Sequence, residues 1–185
     1  GGARFETSGK GMTIDGQPVL TGNGINVSLL NGVIAPANLP NGLGGTGNTV
    51  SGQYVVVDGG NQNTASYEGA TIGGGEDNTS TNLRATVGGG FYNTASGDTA
   101  TVSGGFNDVA SGSHATVGGG GNNQATNVCA TVPGSQYNLA GGQNSFAAGY
   151  RAQAINDGAF VWADSQNAAF ASTATNKFSI RASGG

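Results

Sequence analysis

From Val55 onward the apolar and polar positions recur every fifteen residues. The segments VVVDGGNQNTASYEG, ATIGGGEDNTSTNLR, ATVGGGFYNTASGDT, ATVSGGFNDVASGSH, ATVGGGGNNQATNVC and ATVPGSQYNLAGGQN begin at residues 55, 70, 85, 100, 115 and 130, with no insertion between them. Each opens on three strand-compatible residues, usually Ala-Thr-Val, alternating apolar, polar, apolar, so that one side of a strand is buried. The fifth and sixth places are glycine in most units: Gly74 and Gly75, Gly89 and Gly90, Gly104 and Gly105, Gly119 and Gly120. Glycine takes positive φ without steric cost, so the chain is predicted to turn sharply there. The ninth place is Asn63, Asn78, Asn93, Asn123 or Asn138, with Asp108 in the remaining unit. Asn and Asp enter the left-handed region more readily than other residues with a Cβ, and this place is read as a second bend. Small residues at the eleventh place (Ala65, Ser80, Ala95, Ala110, Ala125, Ala140) suit a cramped interior. Strand, turn, strand, turn in fifteen residues describes one coil of a parallel β-solenoid or β-roll. A shorter unit, SFAAGYRAQAINDG, follows from Ser145, and a degraded one, AFVWADSQN, from Ala159.

Stacked coils lie about 4.8 Å apart, so equivalent strands pair along the axis and satisfy one another's backbone groups. Burial is then spread along a thin interior column of Val and Ala. About three apolar side chains per coil is little for a free-standing chain. Burial against further copies of the chain is expected to make up the deficit.

Composition supports this reading. Of 185 residues 37 are Gly, while Leu, Ile, Val and Phe together are fewer than one in five. That apolar content cannot fill an ordinary globular core, yet charged residues are only 9% and the net charge is −4, unlike a highly charged disordered chain. The glycines lack the every-third spacing of collagen. Six Lys and Arg against ten acidic residues provide no basic stripe for nucleic acid. No apolar run is long enough to span a membrane. The opening GGARFETSGKG lacks the regions of a signal peptide, and the chain reads as an internal fragment or processed product. A single cysteine, Cys129, allows no disulfide within the chain.

The segment NSFAAGYRAQA, residues 144 to 154, is similar to the N-S-x-A-x-G-x-x-A/S-x-A pattern in the head repeats of YadA-like trimeric autotransporter adhesins. The matching residues are Asn144, Ser145, Ala147, Gly149, Ala152 and Ala154. The resemblance covers roughly residues 55 to 165. It implies a left-handed β-roll of 14–15-residue coils, an intertwined homotrimer, and attachment to surfaces. The central units depart from the family in being one residue longer, with GGG in place of a more apolar stretch. Their apolar residues fall at the first and third places, whereas Phe146 and Ala148 fall at the second and fourth. Two flanks, INVSLLNGVIAPANLPNGLGG (25 to 45) and NKFSIRASGG (176 to 185), resemble connectors of phage tail-fibre-like proteins. The chain is accordingly divided into a β-rich connector with a Gly/Pro/Asn-rich linker (1–54), a repeat region (55–158), and a degraded last coil with an exit or capping segment (159–185).

No residue constellation points to catalysis, a cofactor or a metal. The GxGxxG pattern at residues 42 to 47 follows a Pro-containing loop rather than a strand, and reads as linker. His114, the only histidine, is a turn residue; the adjacent Glu76 and Asp77 and the scattered Asp58, Asp98 and Asp108 match no calcium-binding repeat. Cys129 reads as a buried or tolerated thiol. Phe160 and Trp162 are expected to cover the end of the stack. Asn26 and Asn78 head glycosylation sequons of the kind an Asn-rich chain produces by chance. The threonines at repeat spacing (Thr71, Thr86, Thr101, Thr116, Thr131) form a structural or intersubunit ladder. If solvent-facing, they would resemble one column of an ice-binding β-solenoid.

The sequence therefore predicts an extracellular, non-enzymatic, homotrimeric fibre segment, on a cell surface or a virion, that spaces and attaches through a surface receptor or glycan. It neither binds nucleic acid nor inserts into a membrane. A tail-fibre or spike segment for host recognition is the alternative, and an ice-binding solenoid the third reading. Variable places such as Phe91, Tyr92, Phe106 and Tyr137 would carry contacts to a receptor or to other copies.

Overall fold

The computed structural model describes residues 6–8, 11–14, 17–18 and 45–184. The segment 25–44, which carries the first tail-fibre-like flank, and residues 42–44 of the GxGxxG pattern lie outside the described residues. Near the start, Glu6–Ser8, Gly11–Ile14 and Gln17–Pro18 pair as a three-stranded antiparallel meander.

Residues 45–184 form an all-β solenoid of parallel strands, with no helix among the described residues. Two nine-stranded sheets run along it. Face 1 begins at Val56–Val57, repeats at Thr71–Ile72 and each fifteenth residue to Thr131–Val132, and ends with Phe146–Gly149, Phe160–Ala163 and Phe178–Arg181. Face 2 runs from Thr49–Ser51 and Thr64–Ser66 to Leu139–Ala140, Ala152–Ala154 and Phe170–Ala171. A third column of single bridges, Thr46, Asn61, Glu76, Phe91, Phe106, Gly121, Gln136 and Tyr150, joins the coils just after the glycine bend and before the strand of face 2. Each coil therefore has three sides where the sequence pattern suggested two.

The solenoid extends beyond 55–158 in both directions, from Thr46 to Arg181. The segment from Ala159 completes a whole coil. Its step from Phe160 to Phe178 is eighteen residues, after a step of fourteen from Phe146 to Phe160.

The interior is built from four places per coil. The first (Ala70, Ala85, Ala100, Ala115, Ala130), third (Ile72, Val87, Val102, Val117, Val132) and eleventh are fully buried, giving the expected three small apolar side chains. The apparent shift of apolar parity at Ser145 resolves in this frame. Ser145 and Ala147 occupy the buried first and third places, while Phe146 pairs with Thr131 on the outward side.

The fourth interior place is polar. Asn63, Asn78, Asn93, Asn123 and Asn138 are buried, and none has positive φ, which corrects the reading of the ninth place as a left-handed bend. The left-handed residues are their predecessors Gln62, Asp77, Tyr92, Asn107, Asn122 and Tyr137, together with the closing places Arg84, Thr99, His114, Cys129 and Asn144. The Asn side chains instead climb the axis. Asn78 Oδ1 accepts the backbone N–H of Asn93 at 3.0 Å, and its Nδ2 donates to the carbonyls of Gly74 (3.0 Å) and Gly90 (2.8 Å). The same arrangement starts at Asn48 Oδ1 and ends where Ala152 N–H donates to Asn138 Oδ1 at 2.9 Å.

The ladder explains the glycine pairs. Gly74 and Gly75, Gly89 and Gly90, Gly104 and Gly105, and Gly119 and Gly120 all have positive φ, as expected. A Cβ on Gly75 would strike the Gly90 carbonyl and lie 2.7 Å from Asn78 Nδ2, so this place approaches the next coil without a side chain; in the coil from Ala130 it is taken by Ser135 at φ 73°.

Removing one rung gives the first test. Asn78→Ala leaves the Asn93 N–H without its acceptor and takes a donor from Gly74 and from Gly90, at about 1–3 kcal/mol for each unsatisfied buried group. Denaturant unfolding is expected to show a loss of about 3 kcal/mol, against under ~0.5 kcal/mol for the exposed Gln124→Ala. Equal effects would remove the ladder from the account of stability.

Candidate interaction surface

Because the interior takes alternate strand residues, the second place of face 1 points outward along the whole solenoid. Through the regular coils this column is Thr71, Thr86, Thr101, Thr116 and Thr131, each half-buried. Where the fifteen-residue period ends, it continues as Phe146, Phe160 and Phe178. The rung spacing of about 4.8 Å sets the ring spacing. Phe146 and Phe160 stack with centroids 4.8 Å apart and planes at 4°, and Phe160 and Phe178 at 4.6 Å and 17°.

Two residues further along the same strands, Ala148, Trp162 and Ile180 are paired neighbours. Phe178 is 66% exposed, Ile180 53% and Trp162 37%. The last three rungs of face 1 thus carry a phenylalanine column, half-buried at Phe146 and Phe160 and exposed at Phe178, beside the exposed Trp162 and Ile180, while Ala148 is buried. Phe160 and Trp162 lie on this flank rather than covering the end of the stack, because Phe178–Arg181 adds a further rung beyond them.

A clasp secures the final rung. Arg181 Nε contacts Asp164 Oδ1 at 2.7 Å, and the Ser183 N–H and hydroxyl both donate to Asp164 Oδ2, the former at 2.9 Å. Arg181 also donates to the carbonyls of Ala168 (2.8 Å) and Gln166 (3.2 Å), gathering in the extra residues of the eighteen-residue coil. The Ser183 hydroxyl above all, with the Ser183 N–H and Arg181, holds the Asp164 carboxyl well below the usual aspartate range.

A second set of aromatics follows the bridge column. Phe91 stacks on Phe106 at 5.8 Å and meets Tyr92 at 4.1 Å, while Arg151 lies over Tyr137 and Tyr150. Above them, Thr46 donates to Asn61 and Asn61 to Glu76 along the axis. A shallow groove of about 350 Å³ crosses the glycine bends beside Thr46 and Asp58.

The six motif residues are architectural. Ser145, Ala147, Ala152 and Ala154 are buried, Asn144 turns at φ 54°, and Gly149 turns where a Cβ would meet the Ala163 carbonyl. His114 is exposed with its Nδ1 2.9 Å from Ser113 Oγ. Cys129 is exposed at a left-handed turn, which excludes the buried-thiol reading. The sequon at Asn78 is closed by the fold, since that side chain is buried in the ladder; Asn26 lies outside the described residues. No group of three or more His, Cys, Asp or Glu capable of holding a metal occurs among the described residues. Among the described residues no helix is long and apolar enough to cross a membrane.

No protein-family model matches the chain, and no curated protein matches it. The surface must therefore be read from its own chemistry.

The aromatic flank escaped sequence reading because the steps of fourteen and eighteen residues hide the alignment of Phe146, Phe160 and Phe178. The clasp had a signal only in the spacing of Asp164 and Arg181, which follows once the last coil is counted as eighteen.

The clasp titrates with a definite sign. A carboxyl held below its unfolded value contributes stability above that value and loses it as pH falls. Backbone relaxation at Ser183 is expected to show an ordered terminus at neutral pH that loosens in acid. Asp164→Asn should loosen it at neutral pH; an equally ordered Ser183 in that variant would contradict the clasp.

Proposed function

We propose that this chain is a non-enzymatic segment of an extracellular homotrimeric fibre, serving spacing and surface attachment. The observation that carries the reading is the apolar flank of the last three rungs. A contiguous, solvent-facing set of Phe, Trp and Ile on a regular sheet is characteristic of a surface that another chain covers. Three small apolar side chains per coil give the same argument from the inside, because the isolated solenoid buries little apolar surface. The similarity of residues 144–154 to YadA-like head repeats supplies the trimeric stoichiometry and the adhesive role. Phe91, Tyr92, Phe106 and Tyr137, on the bridge side away from the apolar flank, then remain available to a receptor or glycan.

A tail-fibre or spike segment is the second reading. It is favoured by the place of the second flank, whose Phe178–Arg181 strand forms the last rung and whose Ser183 closes the clasp. Ice binding draws little support. A second outward threonine column does exist, Thr49, Thr64, Thr79 and Thr94, but it stands on face 2 and not beside the first.

Light scattering coupled to size exclusion tests the reading. A mass near three 18.0 kDa chains is expected. The double variant Trp162→Ser/Phe178→Ser is expected to shift the mass to that of one chain while the β-sheet circular dichroism persists. A monomeric wild-type chain would overturn the fibre reading.

A further inference from the structure

One rung of the interior ladder is chemically different from the others. Asp108 stands where the neighbouring coils have Asn, and it is fully buried. Half of its role is ordinary. Its backbone N–H donates to Asn93 Oδ1 at 3.0 Å, and its Oδ1 accepts the Asn123 N–H at 2.8 Å. Its other oxygen, Oδ2, has no partner.

That oxygen occupies the place of an amide nitrogen. A Cβ built on Gly105 would lie 2.6 Å from Asp108 Oδ2, as one built on Gly90 would lie 2.6 Å from Asn93 Nδ2. In the Asn93 rung this atom is a donor, reaching the carbonyls of Gly89 and Gly105, each at 2.9 Å. The register equivalents for Asp108 are the carbonyls of Gly104 and Gly120. A carboxylate there would set an unpaired, buried anionic oxygen against two carbonyl oxygens, which is strongly unfavourable. A carboxylic acid has one O–H and can reproduce one of the two missing bonds.

We infer that Asp108 joins the ladder as a neutral carboxylic acid whose Oδ2–H donates to a flanking glycine carbonyl, and that losing this proton weakens the solenoid at its middle. Nothing charged offers compensation. The elements packed around Asp108 present Asn93, Asn123, Gly104, Gly105, Gly120 and the Val and Ala of both faces, none of them titratable. The turns joining face 2 to face 1 carry Asp98, half-buried with its Oδ1 enclosed and without a partner, and the exposed His114. Burial accordingly pushes the Asp108 carboxyl above its ordinary value, against the opposing pull of its bonds to Asn123.

The sign follows from proton linkage. Between the ordinary value of 3.8 and the raised folded value, the folded chain binds a proton that the unfolded chain has released. Stability from this rung is complete below about 3.8 and is lost as pH rises through that window. This is opposite to the clasp at Asp164, which loosens in acid.

Asp108→Asn tests the inference, because it restores the neighbouring amide chemistry without changing shape. Urea midpoints of the two proteins are to be compared across pH, and the carboxyl ¹³C shift of Asp108 followed in the folded wild type. The expected result is that Asp108→Asn gains on the wild type as pH rises from about 4, with the ¹³C transition above 3.8. As a second variant, Asn93→Asp is expected to add a further pH-dependent loss of the same sign. A constant difference between Asp108→Asn and wild type, or a ¹³C transition at or below 3.8, would overturn it.

Discussion

The solenoid depends on the hydrogen bonds that its buried asparagines make from coil to coil. A chain with three small apolar residues per turn has little hydrophobic burial to hold successive turns in register. Asn places an acceptor and two donors at one interior point, and each rung uses them on its own coil and on the coil that follows. Satisfied in a dry interior, such a network is stiff and specific; half-satisfied, it becomes a liability. The glycine pairs suit it, because at Gly60, Gly75, Gly90 and Gly120 a Cβ would crowd both the amide and the next coil's carbonyl; Ser135 takes the same place with φ 73°.

A regular interior leaves the outer surface free to vary. Along the outward column of face 2 threonine gives way to valine, glutamine and leucine, and along that of face 1 to phenylalanine. The change to phenylalanine coincides with the end of the strict period, where coils of fourteen and eighteen residues replace those of fifteen. The same rungs carry the Asp164–Arg181–Ser183 clasp. The phenylalanine stack of face 1 and the terminal fastening thus share one end of the solenoid.

The repeat made the coil, its bends at the glycines and its small buried places legible in the sequence, because a period of fifteen fixes every position at once. The role of the ninth place was not legible. Asn serves equally well as a left-handed turn residue and as a buried amide, and only the fold distinguishes them: the turn falls one residue earlier, on Gln62, Asp77 and Tyr92. Trp162 was misread as an end cap because the coil from Ala159 seemed incomplete, its closing strand being delayed by the residues that Arg181 gathers. The aromatic flank needed the same count. Asp108 was visible as an exception to the Asn column, but its meaning required the orientation of Oδ2.

Hydrogen exchange tests the ladder most directly. The backbone N–H groups of Asn78, Asn93, Asp108, Asn123 and Asn138 all donate to the side chain one coil below. If these bonds hold the coils together, those five amides should open only with global unfolding and share one exchange free energy. Exchange as fast as that of amides at the frayed ends of the solenoid would contradict the account, and cohesion would then have to rest on the backbone sheets alone.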